Sequence, residues 1–171
     1  HVKDPELLSI LDRQYQFMQD EYNITVECFK SGQNPSKPTQ SYKMNQDNDF
    51  VYGLTPSQPK KPAQSPAELT DACVSSMMLG SIKSGASMKT IAALETTNPV
   101  VRRVLADSIP NCIEMAYELS IYQNKHHYYQ VPQLAETDMN TYRNSFAPAQ
   151  GQTMGQQPMG QMPNNMNNNM P

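Results

Sequence analysis

Two stretches of this chain begin alike and keep the same apolar spacing, 94 positions apart: one begins at Asp4-Pro5 and the other at Asn98-Pro99. The aligned positions are Leu7 with Val101, Ile10 with Val104, Leu11 with Leu105, Tyr15 with Ile109, and Met18 with Cys112. Self-similarity at a fixed period is typical of a duplicated supersecondary unit. The repeat predicts a duplicated helical hairpin, in which a short loop ending in Asp/Asn-Pro joins two helices.

The two copies differ in extent. A long helical pattern precedes Asn98, so the second copy has both helices, whereas only three residues precede Asp4. We therefore expect the first copy to lack its leading helix. The chain is predicted to be a trimmed product or a fragment of a four-helix protein.

Residues 4–31 are predicted to form the first helix of a bundle. Asp4 can accept a hydrogen bond from an unpaired backbone N–H, Pro5 suits the first helical position, and Gly32 suits the end. The apolar seam is predicted at Leu8, Leu11, Tyr15, Met18, Tyr22, Thr25 and Phe29, widened by Ile10, Phe17 and Ile24. Spacing by three and four is typical of a helix that packs along its neighbours.

Residues 32–64 are predicted to be an irregular crossover, because five prolines between residues 33 and 64 prevent a regular helix. A segment of this length can run back along a helix about 40 Å long, at about 1.5 Å per residue. The apolar residues of the stretch from Phe50 to Leu54 are expected to attach the crossover to the bundle.

Residues 65–134 are predicted to contain a helical hairpin. Its first helix is expected to begin at a capping box, Ser65-Pro66-Ala67-Glu68, and to end near Glu95. Gly80 and Gly85 suggest close approach to a neighbouring helix, with local bending as the alternative. The second helix begins at Asn98-Pro99, and Pro110 is expected to kink it.

Residues 135–171 are predicted to be a disordered tail that self-associates, because Met, Gln, Asn, Gly and Pro dominate and no charge follows Arg143. A short loop, a long crossover and a second short loop give the connectivity of a ferritin-like helical bundle. The predicted fold is therefore all-α, with three long helices present and the first helix of the bundle missing.

Charge and composition exclude several classes. A net charge of −3, without a basic stripe, does not favour nucleic-acid binding. No stretch of about 18 apolar residues is available to span a membrane. The three cysteines are far apart and form neither a disulfide framework nor a zinc motif, so they are expected to be small core residues.

A search for catalytic or metal-binding residues is negative. A ferritin-like metal site needs Glu-x-x-His on two helices, and the helix over residues 4–31 has no histidine. Glu114 and Glu118 are one turn apart and are expected to form a solvated face. No phosphate loop or nucleophile motif is present. The sequence predicts no catalytic residue, no metal ligand and no cofactor.

The segment from Tyr122 to Leu134 is the densest polar-aromatic signal in the chain. Candidate residues for assembly or cross-linking are Tyr122, His126, His127, Tyr128 and Tyr129, with Lys60 and Lys61 as further cross-linking candidates. The alternative is a helix end that folds back on the bundle, with the tyrosine rings packed and their hydroxyls in water.

The stretch from Asn98 to Leu134, which ends in Tyr-Tyr-Gln-Val-Pro-Gln-Leu, closely resembles the C-terminal part of the spore coat protein F family of Bacillus-type bacteria. The start Asp4-Pro5-Glu6-Leu7-Leu8 resembles the other helix start of that family. The resemblance covers residues 4–31 and 66–134. It implies a ferritin-like bundle made in the mother-cell cytoplasm that assembles with other spore coat proteins, without known enzymatic activity.

Three functions remain open from sequence. The leading hypothesis is a structural, non-enzymatic component of the endospore coat that associates with other coat proteins and with itself. The second is a ferritin-like metal-binding protein or enzyme whose ligands the sequence does not reveal. The third is a helical docking module that uses the small-residue face of the helix ending near Glu95.

Overall fold

The computed structural model describes residues 2–149. Its helices are α1 (Pro5–Ser31), α2 (Asp71–Glu95), α3 (Pro99–Lys125) and α4 (Glu136–Arg143), with a 3₁₀ turn at Pro66–Glu68 before α2. No β-strand forms within residues 2–149, which contain one isolated bridge between Tyr52 and Val131. The predicted all-α class is confirmed. Residues up to Gln133 form one compact unit, and a second unit begins at Leu134.

The two predicted Asp/Asn-Pro starts form equivalent helix caps. The Asp4 carboxylate accepts a hydrogen bond from the Glu6 N–H at 2.8 Å, and the Asn98 side chain accepts one from the Val100 N–H at 2.9 Å. Proline follows each cap at the first helical position, where no N–H is required. α1 ends at Gly32, whose φ of 66° lies in the left-handed region that glycine adopts without strain.

α3 is the central helix, and α1 runs antiparallel to it. The hydroxyl of Tyr122, near the end of α3, donates to Asp4 at 3.0 Å. At the opposite end of the pair, the Asn98 amide donates to the Gly32 carbonyl at 3.3 Å. A short loop joins α2 to α3, which makes this pair antiparallel too, so α1 and α2 run parallel. The arrangement is compatible with a ferritin-like bundle.

The main core lies where α1 and α2 pack on α3. Its fully buried members include Leu7, Met115, Leu119 and Tyr122. A second, smaller core lies near the start of α3, and its buried members are Ile24, Cys28, Val101 and Val104. Of the three cysteines, Cys28 and Cys112 are buried in the two cores, as expected for small core residues, whereas Cys73 is half-buried and belongs to neither core.

The predicted seam of α1 is wrong by one position, although Ile10 and Ile24, which were predicted to widen it, are buried. Tyr15, Tyr22 and Phe29, all on the predicted seam, are 61%, 67% and 78% exposed. The buried residues of α1 are Leu7, Ile10, Gln14, Ile24 and Cys28. The buried row contains a polar side chain, Gln14, which bonds to α3, so hydrophobic periodicity alone selected the more apolar neighbouring row.

α2 differs from its prediction in two respects. It begins at Asp71, and the Thr70 side chain caps it by accepting a hydrogen bond from the Cys73 N–H at 3.4 Å. Ser65 makes no side-chain cap and instead precedes the 3₁₀ turn. A Cβ added at Gly80 or Gly85 would meet nothing within 4 Å, so the predicted close helix approach is also wrong.

The remaining predictions concern Pro110 and the tail. α3 continues through Pro110 as one helix. Residues 136–143, predicted to be disordered, instead form α4. Glu136 and Asp138 lie in its first turn and Arg143 in its last, a charge order that complements the helix dipole. The tail from residue 150 onward lies outside the described residues.

Candidate functional site

Three buried polar side chains of α3 hold the crossover. Asn111 accepts a hydrogen bond from the Tyr42 N–H at 2.9 Å, and Glu118 accepts one from the Asn45 N–H at 3.1 Å. Asn124 both accepts from the Val51 N–H at 2.7 Å and donates to the Val51 carbonyl at 3.0 Å. We call Asn111, Glu118 and Asn124 the polar row. These side chains supply hydrogen-bond partners to backbone groups of the crossover, which has no regular secondary structure to supply them.

The predicted apolar attachment of the crossover is formed only in part. The Phe50 ring stacks on Tyr117 with 6.1 Å between centroids, but Val51, Tyr52 and Leu54 are exposed. Hydrogen bonds to the polar row, rather than burial of these side chains, attach this segment to α3.

Glu118 is the most heavily coordinated member of the polar row. Its carboxylate is fully buried and forms an ion pair with Arg13. It also accepts hydrogen bonds from the Gln14 amide at 3.0 Å and the Tyr42 hydroxyl at 2.5 Å. Burial opposes ionisation, but the donors, led by Tyr42 and Arg13, hold the pKa of Glu118 below its usual range. The prediction that Glu118 lies on a solvated face is wrong.

The backbone turns sharply where α3 ends. His127 has φ of 58°, uncommon for a residue other than glycine, and its N–H donates to the Asn124 carbonyl at 3.0 Å. The N–H groups of Tyr128 and Tyr129 both donate to the Gln123 carbonyl, at 2.7 and 3.1 Å. These bonds satisfy carbonyls that the end of a helix leaves unpaired.

The turn folds an aromatic cluster, which we define as Tyr122, His126 and Tyr128, onto the start of α1. The rings of Tyr122 and His126 lie 4.5 Å apart between centroids, and those of His126 and Tyr128 lie 5.5 Å apart. The His126 Nε2 atom is 3.5 Å from the Asp4 carboxylate. The same carboxylate oxygen of Asp4 therefore accepts the hydrogen bond from the Tyr122 hydroxyl and lies close to His126.

Ionisation within the aromatic cluster follows from this packing. Burial and then the hydrogen bond to Asp4 raise the pKa of Tyr122, so its hydroxyl remains a donor. Burial opposes ionisation of Asp4 as well, but the Glu6 N–H, Tyr122 and His126 together lower the pKa of that carboxyl. The neutral phenol and the carboxylate are complementary, and they hold the ends of α1 and α3 together.

The segment after the aromatic cluster attaches to the second half of the crossover. The Gln130 side chain accepts from the Thr55 N–H at 2.5 Å and donates to the Thr55 carbonyl at 3.0 Å. The Gly53 N–H donates to the Val131 carbonyl at 2.8 Å. Lys60 donates to the Tyr128 carbonyl at 3.0 Å.

The residues predicted for assembly or cross-linking fall into three groups. Tyr122 is fully buried, and His126 and Tyr128 are half-buried. His127 and Tyr129 are exposed, and Lys83 lies over the Tyr129 ring at 5.7 Å from its centroid. Lys60 and Lys61 are exposed as well. The structure thus places Lys60 beside the aromatic cluster and leaves four of the seven predicted side chains open to a partner.

The described part of the chain offers no cluster suited to a metal ion. Within residues 2–149, no three His, Cys, Asp or Glu side chains are grouped closely enough to hold a metal ion. Among the described helices, none combines the length and the apolarity needed to cross a membrane. The arrangement is one of hydrogen bonds and ring packing, which fix the geometry of this end of the bundle.

The Coat F domain model matches residues 70–132. These residues contain α2, α3, the aromatic cluster and the Gln130 and Val131 contacts to the crossover. The match thus includes the whole Tyr-Tyr-Gln-Val-Pro segment and ends at its last residue, Pro132.

A curated relative extends the similarity to nearly the whole chain. The chain is 58% identical over 161 residues to the spore coat protein F-like protein YhcQ of Bacillus subtilis (strain 168). The match covers 91% of this chain and 74% of that relative. This chain belongs to the spore coat protein F family. No solved structure matches it.

Proposed function

We propose that this chain is a structural component of the bacterial endospore coat that acts through protein–protein assembly and not through catalysis. The observation that carries the proposal is the 58% identity, over 91% of the chain, to a protein named as spore coat protein F-like. Its place of action is the spore coat, after synthesis in the mother-cell cytoplasm. Its partners are other coat proteins and further copies of itself.

The geometry at the end of α3, where the chain turns into the segment after the helix, supports a structural role. The fully buried Tyr122 and the half-buried Asp4 hold the ends of α3 and α1 together through their hydrogen bond. The exposed side chains around them are His127, Tyr129, Lys60 and Lys61. An aromatic ring with a polar tip, such as that of Tyr129, is suited to a contact surface. We assign assembly and cross-linking to these four exposed residues and a positioning role to Tyr122, His126 and Tyr128.

Fractionation tests the proposal directly. An antibody against the chain is applied to extracts of growing cells, intact spores and spores stripped of their coat, with a known cytoplasmic enzyme as a control. We expect signal in the coat extract and its loss from stripped spores. Signal in growing cells without enrichment in spores would overturn the assignment.

A second experiment tests the assigned residues. Tyr129→Phe keeps the ring and removes the hydroxyl needed for a phenolic cross-link. Tyr15→Phe is the matched control, because Tyr15 is also an exposed tyrosine but lies on α1 outside the proposed assembly residues. The Tyr129→Phe variant should enter the coat yet be extracted more easily by denaturant and reductant, whereas Tyr15→Phe should be extracted like the unchanged chain. Equal extraction of Tyr129→Phe and the unchanged chain would contradict the role of Tyr129.

A further inference from the structure

Side chains from α1, α2 and α3 converge on one carboxylate, that of Glu21 on α1. Lys89 of α2 donates a hydrogen bond from its Nζ atom to Oε2 of Glu21 at 3.0 Å. Asn111 of α3 donates one from its Nδ2 atom to Oε1 of Glu21 at 2.6 Å. An amine and an amide are therefore held side by side on the two oxygens of a single carboxyl group.

The three groups are largely shielded from water. Asn111 is buried, and the side chains of Glu21 and Lys89 are 12% and 31% exposed. The Lys89 amine also donates to the sulfur of the buried Cys112 at 3.5 Å, so it is directed toward α3. Exclusion of water strengthens the electrostatic interactions between such groups and limits the hydrolysis of reactive intermediates.

The Asn111 amide has a donor at its oxygen and acceptors at its nitrogen. Its Oδ1 atom accepts a hydrogen bond from the Tyr42 N–H at 2.9 Å, whereas Nδ2 donates to the Gln40 carbonyl at 2.9 Å as well as to Glu21. These partners fix the orientation of the amide. A backbone N–H placed at the carbonyl oxygen stabilises the negative charge that develops there when the amide carbon is attacked.

We propose that Lys89 and Asn111 form an isopeptide bond within the chain, and that Glu21 transfers the proton between the two nitrogens. The bond links α2 to α3 covalently. It forms once in each chain and uses no separate substrate, so the inference goes beyond the proposed coat role without making the protein an enzyme. Because the bond forms within one chain, it can be tested independently of that role.

The reaction uses each of these contacts. Glu21 accepts a proton from the Lys89 ammonium, and the neutral amine attacks Cγ of Asn111, which forms the new C–N bond and moves the electron pair of the carbonyl to Oδ1. Glu21 passes its proton to Nδ2 and accepts a second proton from Nζ. The electron pair then returns, the Cγ–Nδ2 bond breaks, and ammonia leaves with the second proton as an ammonium ion. Glu21 is again a carboxylate, and no oxidant or reductant is required.

The position of Glu21 suits the intermediate of this reaction. Both nitrogens are then attached to Cγ, and their spacing is close to that of the two carboxylate oxygens, the match that also pairs carboxylates with forked donors. Glu21 already bonds both nitrogens in the folded chain. A carboxylate bonded to lysine alone is an ordinary ion pair; the amide on its second oxygen is the observation that carries the inference.

A second set of the same groups in this chain provides an internal comparison. The Glu6 carboxylate is bonded to Lys125 and to the amide of Gln46. However, the Lys125 side chain is 59% exposed, and the oxygen of the Gln46 amide accepts no hydrogen bond from residues 2–149. Without shielding from water and without a donor at the amide oxygen, we expect no bond at this second set.

Mass spectrometry of the purified full chain tests the inference. The intact mass should fall by one ammonia during incubation of the folded protein. A tryptic digest should then contain a branched peptide that joins the segment with Lys89 to the segment with Asn111, and denaturant and reductant should not separate them. The peptides with Gln46 and Lys125 should remain separate. An unchanged mass after prolonged incubation overturns the inference, and so does a loss of ammonia without joined peptides, which indicates a succinimide at Asn111.

Two variants separate the chemistry from the packing. Lys89→Arg keeps a cation beside Glu21, but a guanidinium is not deprotonated and does not attack an amide. Glu21→Gln keeps the size of the side chain and cannot carry the proton. Both variants should retain the full mass, with circular dichroism as the check that they are folded. Lys83→Arg, at an exposed position of α2, is the matched control and should lose ammonia like the unchanged chain. A folded Glu21→Gln variant that forms the bond as fast as the unchanged chain contradicts the role of Glu21.

Discussion

Replacing Glu118 by glutamine removes a buried negative charge while keeping the size of the side chain. In the unchanged protein the carboxylate is bonded to Arg13, the Gln14 amide, the Tyr42 hydroxyl and the Asn45 N–H. All four are donors. A glutamine has a single oxygen acceptor and brings an amide group that is itself a donor.

The cost can be estimated from the bonds that are lost. One amide oxygen accommodates about two donors, so two of the four lose their acceptor. A buried donor without a partner costs about 1–3 kcal/mol. Arg13 is partly exposed and can bind water instead, so we take the lower half of the range and expect a loss of about 2–4 kcal/mol. For a unit of this size, the midpoint temperature should fall by about 10 °C.

Urea unfolding followed by circular dichroism measures this loss, at one fixed protein concentration because association contributes to apparent stability. Glu114→Gln is the matched control. Glu114 lies one turn away on α3, is half-buried and makes only a 3.5 Å contact to the Met44 N–H. The control should change the free energy of unfolding by less than about 1 kcal/mol.

The same variant should loosen the crossover. Glu118 binds the residues on either side of Lys43, namely Tyr42 and the Met44-Asn45 pair through the Asn45 N–H. Trypsin should therefore cleave after Lys43 faster in Glu118→Gln than in Glu114→Gln, because local opening exposes this bond. Equal stability and equal cleavage in the two variants would refute the assignment of Glu118 as the main attachment of the crossover.

Three further predictions follow from single features of the fold. Gly80→Ala should raise the free energy of unfolding by about 0.5–1 kcal/mol, because the new methyl group meets nothing within 4 Å in a helix interior. Gly32→Ala should lower the free energy of unfolding, because φ is +66° at that position. The urea midpoints of both variants provide the check, and a stabilised Gly32→Ala variant would contradict the prediction. The folded state lowers the pKa of Asp4, Glu6 and Glu118, so their contribution to stability is present above about pH 4.5 and is lost as the pH falls through the lowered values. Urea midpoints should therefore be similar at pH 7 and pH 5 and lower at pH 3.5, and a midpoint at pH 3.5 equal to that at pH 7 would be incompatible with this linkage. A chain ending at Tyr142 should keep the unfolding midpoint of the bundle but form fewer large assemblies in light scattering, and unchanged assembly would exclude a role for the residues removed.

The starts of α1 and α3 and the overall order of the elements could be predicted because local rules decide them. An Asp/Asn-Pro pair satisfies the first backbone N–H groups and places proline where no donor is needed. Gly32 likewise ends α1 through its left-handed backbone. These rules involve neighbours in sequence, so both ends of α1 and the start of α3 match the predictions.

The polar row could not be predicted in the same way, because apolar periodicity carries no information about buried polar groups. Asn111, Glu118 and Asn124 are seven and six positions apart, so they recur along one side of α3. This spacing was visible in the sequence, but the hydrogen-bond partners of the polar row are backbone groups of a crossover without regular structure. Only the folded chain brings Tyr42, Asn45 and Val51 to them.

The misplaced seam of α1 is informative in a different way. The row chosen from sequence, through Tyr15, Met18 and Tyr22, is more apolar than the row that the fold buries, which includes Gln14. A helix that met protein on one face alone would gain nothing from large apolar side chains on the other, and exposing them favours association. The counterpart of Met18 in the second copy of the repeat, Cys112, is buried. The apolar character of this row is therefore explained if a further protein segment covers it.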